Sequence, residues 1–182
     1  HNMDYGRSDF DRAHVFILSY TWDSPKLSNT NKLVRYALGS WQLTGIVTAQ
    51  TGQPLTVLAG IDASKSGMNT DRAQFLSSNT YGGNACGFSA PCVNFLNKAA
   101  FTTPVTGSYG NVGKGSLTGP AFVNWDTGVF KRIPVGPERL NIQFRAEFFN
   151  VLNHANFNNP STSYSSASFG TILTARDPRI GQ

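Results

Sequence analysis

The residues closest to a known catalytic motif lie between positions 108 and 116. Gly113 and Lys114 would form a phosphate-binding loop only with glycine at position 108 and Ser or Thr at position 115, but Ser108 and Gly115 stand there. Ser116 lacks the flanking glycines of a nucleophile elbow, and no lysine has a serine three residues before it. The sequence therefore predicts neither a nucleotide-binding loop nor a serine-hydrolase site.

Metal-binding and acid–base residues are also sparse. The histidines are far apart in the sequence and no His-Glu-x-x-His or Cys-x-x-Cys motif occurs. A charged group near the N-terminus, which has the residue types for acid–base chemistry, consists of Asp9, Asp11, Arg12 and His14. We interpret it as a solvated segment held by Asp to Arg pairs, and we expect no enzyme activity, no metal and no cofactor.

Composition indicates an all-β chain with many turns. Of 182 residues, 40% are hydrophobic, 12% aromatic and only 14% charged, and Gly, Ser, Thr and Asn are abundant. The net charge of +5 comes from Lys and Arg residues scattered from Arg7 to Arg179, so no nucleic-acid partner is expected. Cys86 and Cys92 lie six residues apart in a Gly-, Asn- and Pro-rich segment, which favours a disulfide and an oxidising compartment, with two free thiols as the alternative.

Targeting and membrane signals are limited. No run approaches the roughly 20 apolar residues that a membrane helix needs, whereas spanning by strands remains open. The first residues lack the basic and apolar regions of a signal peptide. Either the true N-terminus lies upstream, or the protein is not exported.

Two-residue alternation of apolar and polar side chains predicts strands at 14–22, 40–51, 123–129 and 140–148. The segment 23–39 and a turn at 134–138 separate them, extended character resumes at 55–58, and a last strand is expected within 169–182. Residues 60–120 are predicted to be a long irregular loop, and 150–168 a second polar loop. Connections therefore alternate between long and short, as in outer-membrane barrels.

The polar faces of these strands supply the first set of candidate functional residues. A membrane barrel turns such a face towards a wet lumen and the apolar face towards lipid, whereas a soluble β-sandwich packs the apolar face on a second sheet. The predicted lumen-facing residues are Gln42, Thr44, Asn124, Asp126, Asn141, Gln143, Arg145 and Glu147. Arg145 and Glu147 are expected to find partners on neighbouring strands or on a domain inside the lumen, because an unpaired buried charge is costly.

The long loop supplies the second set. Aromatic side chains among polar residues can stack on sugars or peptides, and loops carry much of protein recognition. The aromatic residues that we predict to contact an extracellular ligand are Tyr81, Phe88, Phe95, Phe101 and Tyr109.

Short motifs along nearly the whole chain resemble the C-terminal barrel region of TonB-dependent outer-membrane receptors. The resemblance is greatest to the Oar-like group, which carries a carboxypeptidase-regulatory-like domain. In order, the motifs are DYGRSDFDR at 4–12, GSWQLTGI at 39–46, TGQP at 51–54, GNVG at 110–113, NWD at 124–126, FRAEFFN at 144–150, FGTI at 169–172 and ARDPR at 175–179. Each is short, but their order and spacing match the family.

The resemblance implies an antiparallel up-and-down meander of about five long strands, part of a barrel of about 22 strands that an N-terminal plug fills. Residues 1–182 would be one incomplete portion of that barrel, with 60–120 as a long extracellular loop, lacking the plug and the end of the final strand. Such receptors import large nutrients such as an oligosaccharide, a peptide or a metal chelate.

The partners that the resemblance implies are outer-membrane lipid, the plug and the remaining strands, a periplasmic energy-coupling protein that engages the missing N-terminal part, and an extracellular ligand. The implied location is the outer membrane of a Gram-negative bacterium, and the portion would not function alone. The alternative from the residues themselves is a secreted β-sandwich that binds carbohydrate or protein.

Overall fold

The computed structural model describes residues 5–25, 27, 29–83, 86–87, 89–135 and 140–182, and in the segment 135–140 only the backbone of Val135 and Leu140. The chain divides into two compact units. We name the first the strand unit, formed by Phe16–Ala49, Val123–His154 and Asp177–Gln182. The second is the loop unit, formed by His1–Val15, Gln50–Phe122 and Ala155–Arg176.

The described residues form nine strands, one α-helix and one 3-10 turn. In chain order they are β1 (Val15–Asp23), α1 (Lys32–Leu38), β2 (Trp41–Gln50), β3 (Pro54–Leu55), β4 (Gln74–Phe75), the 3-10 turn (Lys98–Ala100), β5 (Phe101–Thr102), β6 (Leu117–Thr118), β7 (Phe122–Val135), β8 (Leu140–Phe149) and β9 (Ile180–Gly181). Within this part of the chain, no helix has both the length and the apolar character to cross a membrane.

The strand unit is one antiparallel sheet in the order β1-β2-β7-β8-β9, and this confirms the predicted all-β meander. The ladder between β7 and β8 runs from Thr127 opposite Phe148 to Val135 opposite Leu140. β9 is short and pairs only with the end of β8. The sheet is open, with β1 at one edge and β9 at the other.

Because successive side chains of a strand point to opposite faces, the alternation in the sequence separates the sheet into an apolar and a polar face. We define the apolar face by Phe16, Leu18, Tyr20 and Trp22 of β1, Trp41, Leu43, Val47 and Ala49 of β2, Val123, Trp125, Thr127, Val129, Lys131 and Ile133 of β7, and Ile142, Phe144, Ala146 and Phe148 of β8. Nε1 of Trp125 donates a hydrogen bond to the Tyr20 hydroxyl, which also shares a hydrogen bond with the Thr127 hydroxyl, and these bonds connect β1 to β7 on this face. Ile142 and Phe144 are 59% and 52% exposed, so no second layer covers them.

Three sequence-based boundaries are wrong. β7 runs to Val135, so Pro134 and Val135 belong to a strand and not to the predicted turn. The extended segment predicted at 55–58 is a strand only at Pro54 and Leu55, which form β3 and pair with β6. The segment 23–39, predicted as a turn or loop, contains α1, whose residues include no Gly or Pro. The helix ends at Leu38 and is capped by Gly39, where a side chain would collide with the carbonyl of Arg35.

The loop unit has a hydrophobic core of its own, so the expectation of a merely irregular loop at 60–120 is wrong in this respect. Short ladders pair β3 with β6 and β4 with β5. The core residues come from widely separated segments and are Leu55, Val57, Ala73, Leu96, Ala100, Phe101, Val112, Leu117 and Phe169. Since Phe169 packs here, the last predicted strand is reduced to Ile180–Gly181.

Candidate functional site

The eight predicted lumen-facing residues lie on the polar face of the sheet. Gln143, Arg145 and Glu147 stand directly opposite Arg132, Phe130 and Gly128, and residues opposite each other in a ladder share a face. Asn124 and Asp126 precede Gly128 on β7 by four and two positions, and Asn141 precedes Gln143 on β8 by two, so all three lie on the same face. Thr44 lies beside Gly128, and Gln42 is two positions before it on β2. The strands thus bring all eight residues to one surface.

The Arg145 and Glu147 side chains form an ion pair with each other. Nη2 of Arg145 is 2.6 Å from Oε1 of Glu147, and the guanidinium lies 5.2 Å from the centroid of the Phe130 ring. A second Glu147 oxygen accepts a hydrogen bond from Nε2 of Gln182 at 3.4 Å. The two charges thus pair first with each other, because side chains two apart on one strand project to the same side, and each also has a contact from beyond β8, Phe130 for Arg145 and Gln182 for Glu147.

Asp126 connects β7 to the end of β8. One carboxylate oxygen accepts hydrogen bonds from Nδ2 of Asn124 at 2.8 Å and from the backbone N–H of Asn150 at 2.9 Å. Asn150 is buried at a positive φ of 50°, and its amide group exchanges two hydrogen bonds with the backbone of His154. Asn tolerates this conformation better than most residues, so Asn150 turns the chain out of β8. Sequence reasoning missed this role.

A cavity of about 500 Å³ lies at the end of the polar face where β1 stops and β2 begins. Its lining includes the predicted residues Gln42, Asn141 and Gln143, together with Asp23 and Arg132, which were not predicted. Amide, carboxylate and guanidinium groups in one recess can hydrogen-bond to water or to a polar solute. The polar face therefore holds donors and acceptors along its length as well as a polar recess at one end.

Lys131 lies on the apolar face and is only 8% exposed. Its Nζ donates hydrogen bonds to the carbonyls of Ala37 and Gly39, each at 3.0 Å, and lies 4.4 Å from the centroid of the Trp41 ring. A lysine near the C-terminal end of a helix also meets the negative end of its dipole. Alternation alone places this charge on the apolar face, and no local sequence pattern indicates its carbonyl partners at the end of α1.

The aromatic residues predicted for ligand contact have different environments. Phe101 is 1% exposed in the core of the loop unit, so its prediction as a ligand contact is wrong. Phe95 packs against that core and meets Tyr81 edge-on, while the Tyr81 hydroxyl bonds to the backbone of Thr118. Tyr109 is 54% exposed. Phe88 lies outside the described residues.

Two polar cavities in the loop unit contain residues that sequence reasoning did not select. One of about 500 Å³ is lined by Asp9, Phe10, Gln53, Arg72, Lys114 and Asn159, among others. The second, of about 130 Å³, also involves Gln53 and Asn159, whose amide groups are joined by a hydrogen bond of 2.6 Å. It further includes Arg12 and Arg176, and the latter guanidinium lies 4.6 Å from the Phe122 ring centroid.

A comparison with protein families matches the whole chain, residues 1–182, to the family described as outer membrane beta barrel domain. The chain belongs to this family. No curated protein and no solved structure matches it. Membership points to a location in the outer membrane and agrees with the open antiparallel sheet and its exposed apolar face.

The loop unit of this barrel domain carries a carboxylate held by a local turn. Desolvation of Asp62 opposes its ionisation, but hydrogen bonds from the backbone of Gly67 and Ser66 and from the Ser64 and Ser66 hydroxyls together hold its pKa below the ordinary value of 3.8. Asp71 accepts from both the backbone and the hydroxyl of Ser64. The two carboxylates therefore order the turn 62–67.

The disulfide and the charged group near the N-terminus complete the candidate sites of the barrel domain. Cys86 and Cys92 are joined by a disulfide in the loop unit. Asp11 pairs with Arg7, whose Nε lies 2.8 Å from the carboxylate. Among the described residues, no group of three His, Cys, Asp or Glu side chains is placed to hold a metal ion.

Proposed function

We propose that this barrel domain is part of a TonB-dependent outer-membrane receptor of the Oar-like group, which imports a large nutrient in a Gram-negative bacterium. The ligand would be an oligosaccharide, a peptide or a metal chelate. The eight motifs between residues 4 and 179 support this narrower assignment, because their order matches that group along nearly the whole chain. The proposal assigns no catalytic residue.

The observation that carries the proposal is the division of one sheet into two unlike surfaces. Ile142 and Phe144 on one face are more than half exposed, whereas polar side chains such as Gln143 and Arg145 occupy the other. A soluble β-sandwich would bury the first face under a second sheet, which argues against a secreted binding module. A membrane barrel leaves that face to lipid and turns the polar one to its lumen.

The loop unit supports a role in binding before import. Its described surface offers the exposed Tyr109 ring, the partly exposed Tyr81 ring, and two cavities that share Gln53 and Asn159. Amide and guanidinium groups beside aromatic rings suit sugar hydroxyls, peptide groups and chelate carboxylates. A core of its own holds these groups in place before ligand arrives, which reduces the entropy lost on binding.

The proposal implies several partners. Lipid would contact the apolar face, further strands would pair with the edges at β1 and β9, and a plug would contact the polar face. The periplasmic energy-coupling protein would act through the parent protein rather than through this chain. No role for nucleic acid is proposed.

Uptake in the native host tests the proposal. We expect accumulation of a labelled glycan, peptide or siderophore to be lost when the gene is deleted and equally when the energy-coupling protein is deleted. Accumulation that survives loss of the energy-coupling protein would contradict a TonB-dependent receptor. A folded, monodisperse and soluble product without detergent would instead support the sandwich.

Variants separate binding from folding. Gln53→Ala together with Asn159→Ala removes side-chain hydrogen bonding from both cavities, and at about 1 kcal/mol for each lost hydrogen bond we expect ligand affinity to fall by about tenfold or more. The control is Val105→Ala, which changes an exposed side chain that lines neither cavity. Equal affinities for the two variants would exclude these cavities as the ligand site.

A further inference from the structure

The short helix α1 exposes apolar side chains that the sheet does not cover. None of its residues is buried, and Leu33 and Leu38 are 83% and 62% exposed, with Val34 and Tyr36 also exposed. A helix of a water-soluble domain turns its apolar stripe to a core. Here the stripe faces away from the rest of the strand unit.

The helix is nevertheless fixed to the sheet at its C-terminal end. Lys131 donates to the carbonyls of Ala37 and Gly39, and Nε1 of Trp41 donates to the Ala37 carbonyl at 2.8 Å. Both Lys131 and Trp41 belong to the apolar face. The C-terminal end of α1 is thus attached to residues of the face that meets lipid in a barrel of this family.

Both charged residues of α1 are basic. Lys32 and Arg35 lie on the helix, its first turn holds no acidic residue, and the sequence contains no Asp or Glu between Asp23 and Asp62. A cavity of about 330 Å³ beside the helix is lined by Arg35, Tyr36, Ser40 and Arg132, among others. The Arg35 guanidinium in such a recess is complementary to a phosphate group.

The position of α1 in the chain gives the side of the membrane. The helix joins β1 to β2 at the same end of the sheet where β7 stops at Val135 and β8 begins at Leu140. The loop-unit segment 51–121 joins β2 to β7 at the opposite strand ends. In outer-membrane barrels the short connections lie on the periplasmic side.

We propose that α1 is an interfacial helix whose Leu33 and Leu38 enter the periplasmic leaflet while Lys32 and Arg35 contact the phosphates of anionic phospholipids. An apolar face beside basic and aromatic residues is the composition that lies in a membrane interface. Lys131 holds the helix at that level. This inference depends on the outer-membrane location and not on nutrient uptake, so it fails or stands independently of the proposed transport.

Spin labelling of the intact protein that carries this chain tests the proposal. Single Leu33→Cys and Leu38→Cys variants are labelled in lipid nanodiscs, with Val105→Cys in the loop unit as the control at an exposed apolar residue. Cys86 and Cys92 are disulfide-bonded and do not take the label. We expect the ratio of collisions with lipid-soluble oxygen to collisions with a water-soluble nickel chelate to be severalfold higher at 33 and 38 than at 105.

Lipid composition tests the charge contacts. Adding phosphatidylglycerol to phosphatidylcholine nanodiscs should raise this ratio at position 38, and the rise should disappear in the K32Q/R35Q variant but not in the control K65Q/K114Q. A nickel-accessible label at both positions would overturn the interfacial placement. Labels shielded from both reagents would show that protein covers the helix, and a response independent of phosphatidylglycerol would overturn the phosphate contacts.

Discussion

Phe101→Ala tests whether the loop unit is an ordered body with its own core. The Phe101 ring is almost completely buried and contacts the rings of Phe75 and Phe169, at centroid distances of 5.4 and 5.6 Å. Truncation removes both ring contacts and leaves a cavity among side chains from separate parts of the chain. The loss should therefore weaken the whole unit rather than one turn.

The expected size follows from this burial. Replacing a buried Phe by Ala costs about 3–5 kcal/mol, and about 1.4 kcal/mol changes an equilibrium constant tenfold. The open population of the loop unit should thus rise by about two to four orders of magnitude. Phe101→Leu keeps most of the volume and should cost about 1.5 kcal/mol. Tyr109→Ala, at a ring that is more than half exposed, should cost less than about 0.5 kcal/mol.

Native-state proteolysis of the intact protein in nanodiscs measures this difference. When reclosing is faster than cleavage, the cleavage rate follows the open population. We expect cleavage to be fastest in Phe101→Ala and slower in Phe101→Leu. Tyr109→Ala should be cleaved at the same rate as the parent protein. Equal rates for all three variants would refute the idea that segments 50–122 and 155–176 share a core.

Three further outcomes follow from individual contacts. Lys131→Met removes two charge-assisted hydrogen bonds and a cation–π contact, so the free energy of unfolding in urea should fall by about 3 kcal/mol, against less than about 0.5 kcal/mol for Lys32→Met. Asn150→Ala loses two hydrogen bonds and places alanine at positive φ, and the same titration should show a loss of about 2 kcal/mol. Because the pKa of Asp62 in the folded protein lies below 3.8, its carboxylate stabilises the turn at pH values above 3.8, and this contribution is lost as the pH falls through the pKa of the folded protein. We therefore expect amide hydrogen exchange at Gly67 to accelerate only below the pKa of Asp62 in the folded protein. The Asp62→Asn variant should show no such pH-dependent acceleration.

The strands and their two faces could be predicted because the information is local. Alternation within β8 assigns Ile142 and Phe144 to one side and Gln143 and Arg145 to the other, and the register with β7 preserves that division. The polar surface follows from the same rule. What alternation does not give is the partner of each side chain, so the ion pair within β8 was not foreseen.

The end of β7 and the helix α1 show a second limit. Pro134 reads as a turn residue, yet it stands in a strand opposite Asn141, where proline is tolerated when its missing N–H is not needed by the ladder. The apolar side chains of α1 do not form a face that packs against the protein, since none of the helix residues is buried. Short helices gain little from propensity alone, and α1 depends on the tertiary contacts of Lys131, which no local pattern reports.

The two units place their apolar residues in different environments. This difference explains why the strands of the strand unit could be predicted from the sequence and the core of the loop unit could not. In the strand unit the apolar residues recur every second position and remain exposed, so a short window contains the whole signal. In the loop unit Leu55, Phe101 and Phe169 are brought together from distant segments, so no short window of the sequence contains their contacts. Leu55 also lines the larger cavity of this unit. Core order and cavity shape are therefore coupled, so Phe101→Ala should weaken ligand binding without altering any residue that lines either cavity.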